Sequence, residues 1–136
     1  MGVDPDYLRS RIREAREAMR HLLRLTSRPF EALSLDEKCS MRYHIVVLAE
    51  AIGSICIHIC LRELNYEPES YPDCLSYLGD AGLISCVGNL IGIVRLRNLL
   101  VHKYWVVDDQ RVYISVRENF KCVLEFLRMV EDRYGL

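Results

Sequence analysis

The sequence predicts an all-α fold, a five-helix up-and-down bundle. Apolar residues recur at three- and four-residue intervals along most of the chain, and short turn-forming stretches separate these segments. An alternating strand pattern is absent from the sequence. With 136 residues, 51% of them hydrophobic and 27% charged, the chain is typical of one globular domain, spanning residues 1–136.

The first two helices have clear start signals. Asp4 followed by Pro5 predicts an N-cap with proline in the first turn. An apolar stripe follows, formed by Leu8, Ile12, Ala15, Met19, Leu22 and Leu23, and the segment ends before Pro29. Ser34 and Glu37 have the spacing of a capping box, which predicts a long second helix running to about Asn65.

Three further helices follow. A short one is predicted around residues 73–78, ahead of a glycine-rich turn at 79–82. The segment 85–102 is apolar on every side, which predicts burial inside the domain or beneath a partner. After Asp108 and Asp109, a last amphipathic helix shows apolar residues at Tyr113, Val116, Phe120, Val123, Leu127 and Val130.

Charge and hydropathy exclude several classes of protein. Eighteen Lys and Arg against nineteen Asp and Glu give a net charge of -1, which excludes a uniformly basic nucleic-acid coat. The apolar stretch 45–61 contains Glu50 and His58, and this polarity predicts a buried helix rather than a membrane span. The N-terminus lacks the apolar core of a signal peptide. We therefore expect a cytoplasmic protein that has no membrane partner.

The cysteines predict no metal site. No CxxC pair occurs, and no Cys/His spacing is typical of zinc. Cys56 and Cys60 lie one helical turn apart, but His58 points about 200° away from them. We expect reduced structural thiols at all six positions, Cys39, Cys56, Cys60, Cys74, Cys86 and Cys122, and we expect no cofactor.

The polar residues of the fourth helix form the candidate site. Arg97, Asn98 and His102 interrupt the most apolar helix, where an unpaired charge is costly. One interpretation is structural, with Arg97 paired to an acid such as Glu50 and His102 at the helix C-terminus. The other is a site built near the helix end, or across an interface between two copies, since a regular helix separates His102 from Arg97 by about 140°.

This pattern resembles a known family. Arg97, Asn98, His102 and Tyr104, followed by a Val-Asp segment and an amphipathic helix, are similar to the R-x4-H-x-Y signature of HEPN ribonucleases. The likeness is greatest to HepT toxins, which are paired with minimal-nucleotidyltransferase (MntA) antitoxins. It covers nearly the whole chain in helix order and length.

The resemblance implies a type VII-like toxin that cleaves an RNA, either tRNA or mRNA. Cleavage would need no metal and would take place at a homodimer interface. His102 would be the general acid and base, and Arg97 would stabilise the charge of the phosphorane. Asn98 would orient His102 or the phosphate, and the 2′-OH of RNA would be the nucleophile. Tyr104 would be the acceptor to which the antitoxin transfers AMP from ATP, and this modification would silence the toxin. The alternative is a non-catalytic HEPN scaffold subunit beside a nucleotidyltransferase.

Other residues have weaker signals. Five arginines share one face of the first helix and predict a solvated face, an RNA path or a surface for an acidic antitoxin: Arg9, Arg13, Arg16, Arg20 and Arg24. Trp105 is expected to anchor in the core. The histidines His21, His44 and His58 are expected to be structural or surface residues.

Overall fold

The computed structural model describes residues 2–136 as a bundle of five α-helices. The helices are α1 (Pro5–Thr26), α2 (Leu35–Arg62), α3 (Tyr71–Asp80), α4 (Val87–His102) and α5 (Asp109–Tyr134). Two single 3-10 turns, Phe30–Ala32 and Tyr104–Val106, lie in the connections before α2 and before α5. No strand occurs in this range, and the predicted all-α class is confirmed.

Side-chain caps start most of the helices where the sequence placed them. The Asp4 carboxylate accepts a hydrogen bond from the backbone N–H of Asp6 at 3.0 Å. Ser34 and Glu37 form the expected reciprocal capping box. Helix α3 begins two residues earlier than predicted because the Ser70 hydroxyl caps it, accepting from the N–H of Asp73. Helix α2 ends at Arg62, three residues before the predicted end.

Helix α2 is the central helix and packs against all four others. Its length and mean hydropathy of 2.0 over an 18-residue window would suffice for a membrane span, but 56% of that window is buried within the bundle. The buried side chains include Ile45, Leu48, Ile52, Ile55 and Ile59, each with an exposed fraction of 1% or less. The apolar character of α2 is therefore that of a core helix.

Only one face of α4 is covered by the bundle. Five of its side chains are buried: Leu90, Ile93, Val94, Leu96 and Leu100. Leu99 and Val101, in contrast, are 45% and 47% exposed. Burial beneath a partner stays a prediction for this second face, because the face is not buried within the domain. The reason is that α2, α3 and α5 pack on one side of α4 and leave the other side open.

Candidate active site

The polar motif lies at the C-terminal end of α4. Arg97 and Asn98 are in the penultimate turn, and His102 is the last helical residue. Lys103 caps the helix, its N–H donating to the Leu99 carbonyl at 2.7 Å. The 3-10 turn that follows begins at Tyr104, so the chain changes direction directly after the motif.

Arg97 is held by two polar neighbours. Its guanidinium forms an ion pair with Glu50 of α2, and one terminal nitrogen donates to the Asn98 side-chain oxygen at 2.8 Å. The Arg97 side chain is 23% exposed, and its Nε is buried without a hydrogen-bond partner in the described chain. The ion pair that the structural interpretation anticipated is thus present. Each terminal nitrogen nevertheless carries a second N–H, so the guanidinium keeps donors for a ligand.

Glu50 is held in turn by Tyr71 of α3. The Tyr71 hydroxyl donates to the second carboxylate oxygen of Glu50 at 3.0 Å. Burial, and next the hydrogen bond to this carboxylate, raise the pKa of Tyr71 above its ordinary value. Sequence reasoning missed Tyr71, which lies 21 residues from Glu50. Helices α2, α3 and α4 therefore meet in one polar chain, Tyr71–Glu50–Arg97.

Gly53 is the sequence signal that could have pointed to this contact. It lies three residues after Glu50 in the middle of an apolar helix, where glycine weakens the helix unless a close approach requires it. A Cβ at Gly53 would lie 2.5 Å from the Tyr71 ring. The glycine thus lets the Tyr71 ring lie directly against α2.

His102 is exposed, and its ring has no hydrogen-bond partner among residues 2–136. Five residues separate it from Arg97, which corresponds to about 140° around the helix and about 7.5 Å along it. Asn98 shares the face of His102, yet its side-chain oxygen contacts Arg97. Within one chain, the imidazole and the guanidinium therefore point in different directions at the helix end.

Tyr104 and Trp105 are both exposed on the 3-10 turn, at 60% and 69%. Their rings meet edge to face, with centroids 5.4 Å apart. The expectation that Trp105 anchors in the core is wrong. Leu100 is the last buried residue of α4, and the turn carries Trp105 beyond the end of the helix and away from the core.

Comparisons with known proteins identify the family of the chain. Residues 12–130 match the family described as Ribonuclease HepT-like. The chain belongs to the HepT-like ribonuclease family. A comparison with curated protein sequences finds no significant match.

Solved structures share the HepT-like fold at about 20% sequence identity. One is a tri-AMPylated HEPN toxin of Shewanella oneidensis in complex with an MNT antitoxin, with a TM-score of 0.85, 20% identity, and coverage of 95% of this chain and 99% of that one. A toxin–antitoxin structure with AMP-PNP gives a TM-score of 0.83 at 20% identity, covering 93% and 98%. The Bacillus subtilis cytosolic protein YutE, of unknown function, gives 0.78 at 20%, covering 96% and 90%.

The charge around the HepT-like motif is positive. No acidic residue occurs from 81 to 107, whereas this stretch contains Arg95, Arg97 and Lys103. Arg95 and Lys103 are exposed, and neither forms an ion pair within the described residues. The acids that follow are already engaged, since Asp108 caps α5 and Asp109 pairs with Arg42. Besides the Arg97–Glu50 pair, this end of α4 therefore carries two exposed cations, Arg95 and Lys103, with Asp108 lining the same groove as Arg95.

This groove runs beside these cations, between the open face of α4 and the first half of α5. Arg95 and Leu99 line it from α4, and Arg111 and Ile114 line it from α5. Its volume is about 670 Å³. Ile114 is 44% exposed, so the groove adjoins apolar surface on both helices.

The arginine face of α1 is largely paired with acids. Arg9 pairs with Asp6 at 3.1 Å and Arg20 with Glu17 at 2.5 Å, while Arg16 pairs with Glu131 of α5. Arg24 contacts His21, and Arg13 has no carboxylate within ion-pair distance in the part of the chain described. This distribution favours the solvated face over an RNA path.

The cysteines differ most from expectation. Cys86, the N-cap residue of α4, forms a disulfide with Cys122 of α5, so the prediction of reduced thiols is wrong for this pair. Their Cα atoms are 5.7 Å apart although 36 residues separate them in sequence, and spacing along the chain cannot show such a pairing. Cys39 is exposed, whereas the other three thiols are buried as expected.

The three buried thiols, Cys56, Cys60 and Cys74, form a cluster. Their sulfur atoms lie within 4.8 Å of one another, and those of Cys60 and Cys74 are 3.3 Å apart. The sequence already placed Cys56 and Cys60 one helical turn apart on α2. The fold brings Cys74 of α3 beside them. Structural zinc sites use four ligands, and this cluster offers three, so the set is incomplete for a structural zinc.

The remaining histidines have structural contacts. His21 of α1 stacks on His44 of α2, with ring centroids 4.3 Å apart. His58 accepts a hydrogen bond from the backbone N–H of Asp4 at 2.9 Å and stacks on Tyr7. These contacts join α2 to α1 and agree with the structural role expected of these residues.

Proposed function

We propose that this HepT-like chain is a metal-independent endoribonuclease toxin, silenced by a nucleotidyltransferase antitoxin. The observation that carries the proposal is an exposed His102 and a positioned Arg97 at the end of one helix in a chain of this family. The cationic surroundings favour a phosphate ligand, and the guanidinium keeps free donors for it. The chain acts in the cytoplasm, on an RNA such as tRNA or mRNA.

The proposed reaction is an internal transesterification. The 2′-OH of RNA attacks the adjacent phosphorus, and a His102 imidazole removes its proton. Arg97 stabilises the negative charge that develops on the non-bridging oxygens. The P–O5′ bond breaks, and the leaving 5′ oxygen takes up a proton from the protonated imidazole. The products are a 2′,3′-cyclic phosphate end and a 5′-hydroxyl end, and no metal takes part.

The site is completed by a second copy of the chain. His102 and Arg97 point in different directions within one chain, so a phosphate is better served by two motifs facing each other. The open face of α4 and the adjoining groove supply apolar surface for such an interface, at Leu99 and Ile114. Light scattering should give about twice 15.9 kDa.

Ile114→Arg tests this dimer without touching the motif helix. A charge at the centre of the interface should yield monomers and abolish RNA cleavage although Arg97 and His102 are intact. Leu61→Arg is the matched control, since Leu61 is similarly exposed at the far end of α2. An active monomer would overturn the composite site.

Induced expression with growth and RNA integrity followed together tests the toxin. The wild-type chain should arrest growth and degrade RNA, while His102→Ala and Arg97→Ala should do neither. Because the two side chains act as one unit, the double variant should be no worse than either single one. His21→Ala removes an imidazole from α1 and should remain toxic. Cleavage that needs a divalent metal and leaves 5′-phosphate ends would contradict the mechanism.

The Glu50–Arg97 ion pair favours one second candidate, a scaffold subunit that binds a nucleotidyltransferase without catalysis. In that function Arg97 is purely structural. Expression of His102→Ala would then affect host growth and RNA integrity in the same way as expression of the wild-type chain. The expression experiment therefore separates the two functions directly.

A further inference from the structure

Trp105 is exposed in a way that no role assigned so far requires. It is the only tryptophan of the chain, and 69% of its surface is open to solvent. Val101, Tyr104 and Val106, close to Trp105 in the chain, are exposed as well, and a run of exposed apolar side chains marks a binding site where a single one does not. The edge-to-face contact with Tyr104 covers at most one face of the indole.

The backbone that carries Trp105 is well anchored. The N–H of Val106 donates to the Lys103 carbonyl at 3.0 Å, and that of Val107 donates to the Tyr104 carbonyl at 3.3 Å. Arg42 of α2 pairs with Asp109 and donates to the Val107 carbonyl at 3.5 Å. The indole is therefore presented by a fixed turn beside the motif.

The charges around Trp105 suit a nucleic-acid strand. Arg95 and Lys103 are exposed cations that form no ion pair in the described range. Of the two acids that follow Trp105, Asp109 pairs with Arg42 and Asp108 accepts the N–H of Gln110 as the cap of α5. Open aromatic rings combined with unpaired cations are the usual composition of surfaces that bind single-stranded nucleic acid. Any base can stack on an indole, because every base has a π face.

We propose that Trp105 is a stacking platform for a base of single-stranded RNA next to the cleaved phosphate. The inference rests on the proposed ribonuclease function and adds its substrate class, since a base must be unpaired to reach the indole. Trp105 lies three residues after His102, so a base on the indole holds the strand beside the imidazole. Helical RNA, whose bases are stacked on each other, binds this platform poorly.

Intrinsic fluorescence tests the platform directly, because Trp105 is the sole tryptophan. The probe is a 2′-O-methyl oligoribonucleotide of mixed sequence, which cannot be cleaved by attack of a 2′-OH. Titration into the dimeric wild-type protein should quench the emission to saturation. An abasic oligonucleotide of the same length, and the same sequence as a duplex, should quench much less. Equal quenching by the abasic strand would overturn the proposal.

Acrylamide quenching of the free protein tests the competing occupants. If Trp105 is already shielded in the protein alone, a second copy covers it and the platform is wrong. Trp105 could instead become shielded from acrylamide only when a nucleotidyltransferase is added, while RNA leaves the emission unchanged. The indole would then belong to a protein interface, and the proposal would again be wrong. Full access in the free protein, with quenching by the single strand, supports it.

Substitutions separate stacking from general apolar contact. Trp105→Phe keeps an aromatic face, whereas Trp105→Leu keeps apolar surface without one. Anisotropy of a dye-labelled 2′-O-methyl strand should show binding weakened roughly 5- to 100-fold in Trp105→Leu and less in Trp105→Phe. Leu61→Ala, an exposed apolar residue elsewhere, should bind as wild type. A Leu variant that binds as well as wild type would rule out stacking.

These binding measurements do not depend on cleavage. If the protein proves inactive on RNA but quenches as expected, the ribonuclease function fails, and Trp105 stands as a platform that binds single-stranded RNA without cleavage. If it cleaves RNA but shows no quenching, the function stands and the platform fails.

Discussion

Glu50 of α2 and Arg97 of α4 form an ion pair that links the central helix to the motif helix. The same carboxylate accepts a hydrogen bond from Tyr71 of α3 at 3.0 Å. A guanidinium that is to meet a phosphate needs an orientation set in advance, because reorganisation during the reaction is costly. The ion pair supplies that orientation while it leaves terminal N–H groups free.

Glu50→Ala should therefore damage cleavage more than stability. Both side chains keep contact with solvent, so the free energy of unfolding should fall by no more than about 1 kcal/mol. A displaced guanidinium should reduce the cleavage rate roughly 10- to 100-fold. Urea unfolding and a labelled-RNA assay measure the two quantities on the same preparation. A variant that cleaves at the wild-type rate would show that Glu50 does not position Arg97.

Gly53→Ala should destabilise the bundle although alanine favours helices. A Cβ at this position would lie 2.5 Å from the Tyr71 ring, and such overpacking costs about 1–3 kcal/mol. The gain in helix propensity is about 1 kcal/mol, which leaves a net loss of up to about 2 kcal/mol. Thermal unfolding should show a melting temperature lower by a few degrees.

Gly88→Ala is the matched control for that substitution. A Cβ at Gly88 of α4 would meet nothing within 4 Å, so the variant should be as stable as wild type or more so. Removing the Tyr71 ring together with the Gly53→Ala change should abolish the penalty of the methyl group. If Gly53→Ala alone were stabilising, the Tyr71 ring would have room that the structure does not show.

The helices were predictable because their signals are local. Periodicity and side-chain caps act within a few residues, so Ser34 and Glu37 predicted the start of α2 correctly. The pairing of Arg97 with Glu50 was also foreseeable, because a charge in an apolar helix needs a partner and Glu50 was a mid-helix acid in another apolar run.

The remaining features depend on tertiary placement. The Tyr71 hydroxyl is only one of many that a carboxylate could meet, and the sequence does not rank them. Trp105 was misassigned because the end of α4 projects past the core, which depends on how the helices pack. The bond between Cys86 and Cys122 likewise needs the N-terminus of α4 to lie beside α5.

The Cys86–Cys122 disulfide should contribute measurable stability. It closes a long loop, and cross-links of this size stabilise by about 2–4 kcal/mol, chiefly by restricting the unfolded chain. The double variant Cys86→Ser/Cys122→Ser should unfold at lower urea, and reductant should shift the wild-type midpoint in the same direction. Cys39→Ser, at an exposed free thiol, should leave the midpoint unchanged. Six free thiols by mass spectrometry of the native protein would contradict the bond.

Stability should fall when the pH drops below about 6.5, the ordinary pKa of histidine. Burial is the main cause that lowers the pKa of both His44 and His58 in the folded chain. The unfolded chain therefore binds more protons as the pH falls towards these folded values, and the equilibrium shifts to unfolding. Well above pH 6.5 both rings are neutral in both states and the loss disappears.

His58→Gln isolates one of these two contributions. His58 accepts a hydrogen bond from the Asp4 N–H at 2.9 Å. A glutamine side-chain oxygen can accept the same hydrogen bond, but the glutamine side chain does not titrate. Urea unfolding at a series of pH values should show a weaker decline between pH 7 and 5 than in wild type. An unchanged decline would mean that His58 titrates normally in the folded protein.

Tyr104→Phe should remain toxic yet escape its antitoxin. The Tyr104 hydroxyl is exposed two residues after His102, so an AMP group on it would place bulk and negative charge where the RNA phosphate must bind. Phenylalanine keeps the ring and its edge-to-face contact with Trp105 but lacks the acceptor oxygen. Co-expression with a nucleotidyltransferase partner should rescue growth with the wild-type chain and not with the variant.

Tyr43→Phe is the matched control, because Tyr43 is also an exposed tyrosine but lies on α2, away from the motif in sequence. The partner should silence this variant as it silences the wild-type chain. Mass spectrometry of the silenced wild-type chain should show AMP on the peptide that contains Tyr104. If the partner silences Tyr104→Phe equally well, inhibition is by occlusion, and covalent transfer to Tyr104 is not the mechanism.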